Sequence, residues 1–304
     1  MRVMKPSLWL IVVNLFLVYI SWGSTYIGLK FTLEVLGPFT TCGARMGLGG
    51  FLLCLMLMLT GRWRFPALAD WRHAAGYGVP LVVMASGFLG KGQMSIDSTV
   101  AAVISGSTPI TMLVAAWLFA GEKRPSLPQC FGLATGLLGL VLLATSHGAG
   151  SGIKSTPGGM LWVLLATFGW VAGSLFMRGR NLPTRLSPLE SCALLLLMGG
   201  LESLALAFVC GEASMVHWEN LRPSVLAAFS WMVIGGAILA YSSYFWLLKH
   251  TSIATAVSYE YVVPVIGLVL GWQIGGESVN SQMVLASCLT VGSVFFVMWH
   301  KRNG

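Results

Sequence analysis

The sequence predicts an all-α membrane protein of ten transmembrane helices, arranged as two inverted five-helix repeats. Three observations predict it. Only 9% of the 304 residues are charged and 56% are hydrophobic, whereas a soluble domain carries about 25% charged residues. With so few charges, most of the outer surface must face lipid. The chain also divides into ten apolar stretches, each near the roughly 20 residues that a helix needs to cross a bilayer core. It then repeats itself: Ala101, Pro109, Leu113, Val114, Trp117, Gly121, Glu122 and Ser126 recur 155 positions later as Ala256, Pro264, Leu268, Val269, Trp272, Gly276, Glu277 and Ser281.

The spans are expected over residues 8–29, 39–60, 74–95, 98–120, 127–146, 158–178, 189–210, 224–248, 252–275 and 281–299. Arg2 and Lys5 ahead of the first resemble the start of a signal peptide. No A-x-A cleavage site follows, so this run reads as a retained first helix. Gly37-Pro38 opens the second span, and Arg62-Trp63-Arg64-Phe65-Pro66 separates it from the third. Gly121-Glu122-Lys123-Arg124-Pro125 closes the fourth, and Gly276-Glu277 closes its mate, the ninth. A Gly/Ser-rich stretch at 148–158 parts the halves, giving repeats over 1–147 and 157–300, and Asn181-Leu182-Pro183 links the sixth and seventh spans.

Basic residues set the orientation. Thirteen lie at the N-terminus, the even-numbered links and the C-terminus, four lie in the odd-numbered links, and Arg45 falls inside a span. Positive charge stays cytoplasmic, so both termini are expected there. Five spans per half then oblige the second half to enter the membrane from the other side, which makes the repeat an inverted one. Short links without targeting extensions point to a bacterial inner membrane.

Other classes fit poorly. The formal charge of +8 is scattered between apolar runs and forms no stripe for nucleic acid. The six cysteines have neither metal spacing nor a disulfide pattern, so no metal or cofactor is expected. All five histidines and both aspartates fall at span ends or links, which leaves an intramembrane enzyme without a catalytic pair. There is no P-loop for direct ATP drive. Duplicated bundles of apolar helices are the signature of secondary transporters. An uptake carrier or a channel-like facilitator is the alternative to an exporter. The ladders Gly43/Gly47, Gly132/Gly136 and Gly267/Gly271/Gly275 suit internal helix packing, so a monomer or weak homodimer is expected.

Glu260 is the sharpest candidate for chemistry. It lies about eight residues into the ninth span, roughly 12 Å deep at 1.5 Å per residue. An acid at that depth should face the bundle interior or a wet cavity. A low dielectric favours its neutral form, which suits reversible protonation. It is expected to bind a proton or a substrate amine, or else to pack as a neutral, hydrogen-bonded group. Tyr259 and Tyr261 flank it, and only one of them can share its cavity face. Pro264 leaves the carbonyl of Glu260 without its helical donor, and Pro109 does the same to Ser105 in the fourth span. Trp22 and Trp170 match across the repeat and could wall a ligand site or pack at a helix crossing, with Ser24, Thr25 and Ser174 nearby. Arg45, some six residues into the second span, either snorkels outward, pairs with an acid such as Glu202, or meets substrate.

These residues carry a resemblance. Leu17-Val-Tyr-Ile-Ser-Trp-Gly-Ser-Thr-Tyr26 resembles the opening of EamA-type members of the drug/metabolite transporter superfamily, and Trp22 to Tyr26 is similar to their YedA-like subgroup. Gly37-Pro38 followed by Arg45, Ala101 to Pro109, Gly121-Glu122 and their echoes extend the likeness over nearly the whole chain. The resemblance implies two inverted five-helix repeats around a cavity lined by spans 1, 3, 4, 6, 8 and 9. It also implies export of small metabolites, amino acids or amphipathic compounds. The sequence departs from the subgroup at Glu260, where Ser-Tyr-x-Tyr-Val is expected to hold a small apolar residue.

Overall fold

A computed structural model describes residues 7–96, 101, 104–105, 108–145, 156–179, 185–275, 281, 284–289 and 291–293. The helices are α1 (Leu8–Thr32), α2 (Pro38–Leu59), α3 (Leu68–Gln93), α4 (Thr108–Phe119), α5 (Leu127–Thr145), α6 (Pro157–Gly179), α7 (Pro188–Val209), α8 (Pro223–His250) and α9 (Tyr259–Gly275). A shorter apolar helix covers Val284–Ser293. There is no strand among the described residues. Six helices, α1, α2, α3, α6, α7 and α8, are long and apolar enough to cross a membrane. Large apolar side chains such as Phe51, Phe168, Leu201 and Phe208 are exposed on their outer faces, as expected of surfaces that meet lipid.

Local chemistry sets the ends. Proline occupies the first helical position of α2, α6, α7 and α8, where its missing N–H costs nothing. Ser187 and Glu190 cap α7 reciprocally, the Glu190 N–H donating to Ser187 Oγ (3.3 Å) and the Ser187 N–H to Glu190 Oε2 (2.6 Å). Gly61 and Gly211 follow α2 and α7 with φ of 64° and 71°, the left-handed turn that ends a helix most cheaply at glycine. α3 begins six residues before the expected 74. Asp70 accepts the Ala67 N–H (2.9 Å) and starts the helix, so the polar run Asp70–His73 is a first turn and not a link.

α2 and α7 form the most extensive helix pair. A Cβ on Gly43 would lie 2.9 Å from the Gly200 carbonyl oxygen, and one on Gly50 would lie 2.9 Å from the Ala193 carbonyl oxygen. The two backbones therefore touch. A buried carboxylate ties the pair at each end. Glu212, just past α7, accepts from Phe39 N (3.1 Å), Thr40 N (2.7 Å) and Thr40 Oγ1 (2.8 Å) at the start of α2. Glu190 accepts from Arg64 N (2.6 Å) just past the end of α2.

Two helices change register midway. α3 is π-helical over Val79–Phe88 and α8 over Met232–Leu239. In α3 the change begins at Pro80, which has no N–H to give. π-helical segments are rare and often sit at functional sites.

α9 is broken at a different place from the one the sequence indicates. A short turn of helix, Ile253–Ala256, is followed by a break at Val257-Ser258, and the helix then runs on through Pro264. Ser258 fixes the break. Its hydroxyl donates to Thr255 O (2.8 Å) and accepts from Tyr19 on α1 (2.6 Å). Pro264 removes one N–H without interrupting the helix, and Pro109 sits in the first turn of α4, where proline is tolerated. The side chain of Pro264, and Gly276 and Glu277, lie outside the described residues.

Candidate functional site

Seven segments converge on a cavity of about 100 Å³. Trp22, Thr25 and Tyr26 come from α1, Arg45 from α2, Ser86 from the π-helical part of α3, Ser105 from just before α4 and Thr108 from its first residue, Thr167 and Trp170 from α6, Tyr241 from α8, and Tyr259 and Glu260 from α9. These are the spans the resemblance implies, with α2 added through Arg45.

The break in α9 positions Glu260. It places the residue in the first turn of the new helix, at the positive end of the helix dipole, where an acid is favoured. Glu260 is 8% exposed. Its carboxyl group lies near the hydroxyls of Tyr259 and Thr108, which line the same cavity, so helices α9 and α4 meet beside it.

Aromatic rings form the wall. Trp22 packs edge-on against Trp170 (centroids 5.2 Å apart), Tyr241 (5.5 Å) and Tyr259 (4.5 Å). Trp170 lies 4.8 Å from Tyr244. The two matched tryptophans thus both line the cavity and pack on each other. The π-helical segments hold this wall in place. Trp22 Nε1 donates to Gly236 O in α8 (3.1 Å), and Tyr241 Oη donates to Leu81 O in α3 (2.9 Å).

Several expected site residues lie elsewhere. Ser24 accepts from Trp231 Nε1 (2.6 Å) on the side away from the cavity. Ser174 is bonded to the Tyr244 hydroxyl (3.0 Å) behind the aromatic wall. Tyr261, two residues from Tyr259, points to α5, where its ring lies against Gly136. Pro109 does not line the cavity. Arg45 and Glu202 do not meet. Glu202 Oε2 is buried beside Gly78 between α7 and α3, whereas Arg45 lines the cavity. Nor does Arg45 snorkel, since it is 8% exposed. Its side chain leaves the face of α2 that meets the cavity, and the clasp with α7 holds that face inward.

Sequence reasoning missed Tyr26, Ser86, Thr108, Thr167 and Tyr241. Ser105-Gly-Ser-Thr108 carried a polar signal next to Pro109. The tyrosines of α8 carried none, because tyrosines at helical spacing usually belong to a core.

Comparison with known proteins agrees with this architecture. The profile of the EamA-like transporter family matches the chain twice, over residues 9–145 and 157–299. YedA of Escherichia coli K12, named an uncharacterized inner membrane transporter, is 31% identical over 94% of this chain and 90% of its own. YoaV of Bacillus subtilis 168, named an uncharacterized transporter, is 22% identical over 91% of this chain and 93% of its own. A solved crystal structure superposes with a TM-score of 0.74 at 19% identity, over 96% of this chain and 98% of that one, and this likeness speaks to the fold alone. The relatives are transporters and not enzymes, and the chain, matched over both halves, belongs to the EamA-like transporter family.

Proposed function

We propose that the chain is a secondary-active exporter of small metabolites, amino acids or amphipathic compounds, working by alternating access across a bacterial inner membrane with both termini in the cytoplasm. Two inverted repeats, 1–147 and 157–300, rock about the cavity between them. One observation carries this reading: a buried carboxyl group, Glu260, in an aromatic-lined cavity to which both halves of the chain contribute. A carboxyl group there can hold either a proton or a substrate amine, but not both. That competition is what couples the two movements in an antiporter. The hydroxyls of Thr108 and Tyr259 steady Glu260 in both states, because a hydroxyl donates to a carboxylate and accepts from a carboxylic acid. Trp22, Trp170, Tyr241 and Tyr259 offer ring faces to an apolar or cationic part of the substrate. Thr25 and Ser105 add hydroxyls to the wall.

The test is counterflow in proteoliposomes, screened over amino acids, amphipathic cations and nucleobase-like metabolites, with and without a pH gradient. Saturable counterflow is expected, together with accumulation driven by the pH gradient. Glu260→Gln should keep counterflow of an uncharged substrate and lose the response to the gradient. A wild-type rate and pH profile in both Glu260→Gln and Glu260→Ala would remove Glu260 from the mechanism. Conductance without saturation would remove the carrier.

A further inference from the structure

Building on the carrier reading, we propose that Arg45 is the anion-binding residue of the cavity, and that the molecule carried presents a carboxylate group to it. Arg45 is more than nine-tenths buried and lines the cavity. Among the described residues, no hydrogen bond or ion pair reaches its guanidinium, and its Nε is buried without a partner. A guanidinium has five N–H donors and no acceptor. Buried cations are ordinarily paired, since leaving one unpaired is costly.

The neighbouring groups do not supply the acceptor. Glu260 lies by the hydroxyls of Tyr259 and Thr108, and Glu202 lies beside Gly78, between α7 and α3. Cys42, one helical turn from Arg45, is turned to the Val82 carbonyl (3.5 Å). Trp22 packs both on Tyr241, which lies within the field of Arg45, and on Tyr259, which holds Glu260. Both groups line the one cavity, yet among the described residues they form no ion pair, which leaves the cation open to a ligand. The fork of N–H groups matches a planar carboxylate bidentately. Ring-lined walls and a volume of about 100 Å³ favour a carboxylate attached to a small flat apolar group. The site is one-sided, because Leu195, the approximate repeat counterpart of Arg45, is a buried leucine.

The test is calorimetric titration of the purified full-length protein with benzoate and benzamide, a pair of like shape that differs in charge, and with chloride. Benzoate should bind about tenfold or more tightly than benzamide. Arg45→Gln should abolish that preference, and Arg45→Lys should keep part of it. Equal binding of benzoate and benzamide to the wild type would overturn the proposal whether or not a variant folds. So would an unchanged preference in a monodisperse Arg45→Gln, chloride binding without benzoate binding, or no binding of any probe. Counterflow on the same preparation separates this result from the carrier reading. Arg45-dependent benzoate binding without counterflow of any compound would sink the carrier alone. Counterflow of benzamide and benzoate at equal rates, unaffected by Arg45→Gln, would sink the Arg45 assignment alone.

Discussion

A few buried polar side chains do most of the positioning in this molecule. Thr108 and Glu260 belong to helices far apart in sequence and meet inside the cavity wall. Thr108→Val keeps the shape of the side chain and removes the hydroxyl. It should lower stability by about 1–3 kcal/mol, because the acid loses a buried partner. Thermal unfolding in detergent reads this directly. Glu212 holds two N–H groups and a hydroxyl at the head of α2. Glu212→Ala should cost about 2 kcal/mol in the same assay, as loss of a helix cap and of buried acceptors, with Glu212→Gln recovering part of it. Exposed pairs should matter far less. Arg222 and Glu34 form an ion pair that is open to water, and Arg222→Gln should shift stability by less than about 1 kcal/mol.

At the level of helices, the touching backbones of α2 and α7 leave no room for a side chain. A Cβ at Gly200 would run into the Gly47 backbone, which cannot rotate away as a side chain can. Gly200→Ala should therefore push the helices apart and destabilise the protein by about 1–3 kcal/mol. Gly76→Ala in α3 is the matched control. Nothing lies within 4 Å of its new methyl group, and alanine is the better helix former by roughly 1 kcal/mol, so that variant should be neutral or more stable. Unequal melting shifts of opposite sign would establish the contact. Equal shifts would mean that the α2–α7 approach is not tight.

Over the whole molecule, the expected topology puts both ends of the chain on one side of the membrane. Single cysteines placed near residues 3 and 302, in a background without the native cysteines, should both be shielded from an impermeant thiol reagent in intact cells and both react in inverted vesicles. Labelling of only one of the two in intact cells would defeat the inverted arrangement. The sequence carried much of this architecture. Low charge and apolar runs of bilayer length indicate a helical membrane protein, because lipid leaves a spanning backbone few ways to satisfy its own hydrogen bonds. The expected ends of α2, α6 and α7 lie within one residue of those observed, since proline and serine caps act locally. That Glu260 faces inward was legible too, since an acid in an apolar run should turn away from lipid, and it is buried. Which side chains share a cavity was not legible. Ser24 and Thr25 are adjacent in sequence, yet one meets Trp231 and the other the cavity. Tyr259 and Tyr261 part in the same way. A helix turns about 100° per residue, so the face each residue shows depends on how α1 and α9 rotate against their neighbours. The register changes in α3 and α8 and the break at Ser258 alter that rotation, and they depend on partners such as Tyr19 that lie hundreds of residues away. Sequence alone thus determined that the chain is a helical membrane protein with an acid turned inward from one of its apolar runs. Tertiary packing decided that Arg45 and Glu260 look into one cavity, because only the close approach of α2 to α7 and the hold of α1 on α9 aim them there.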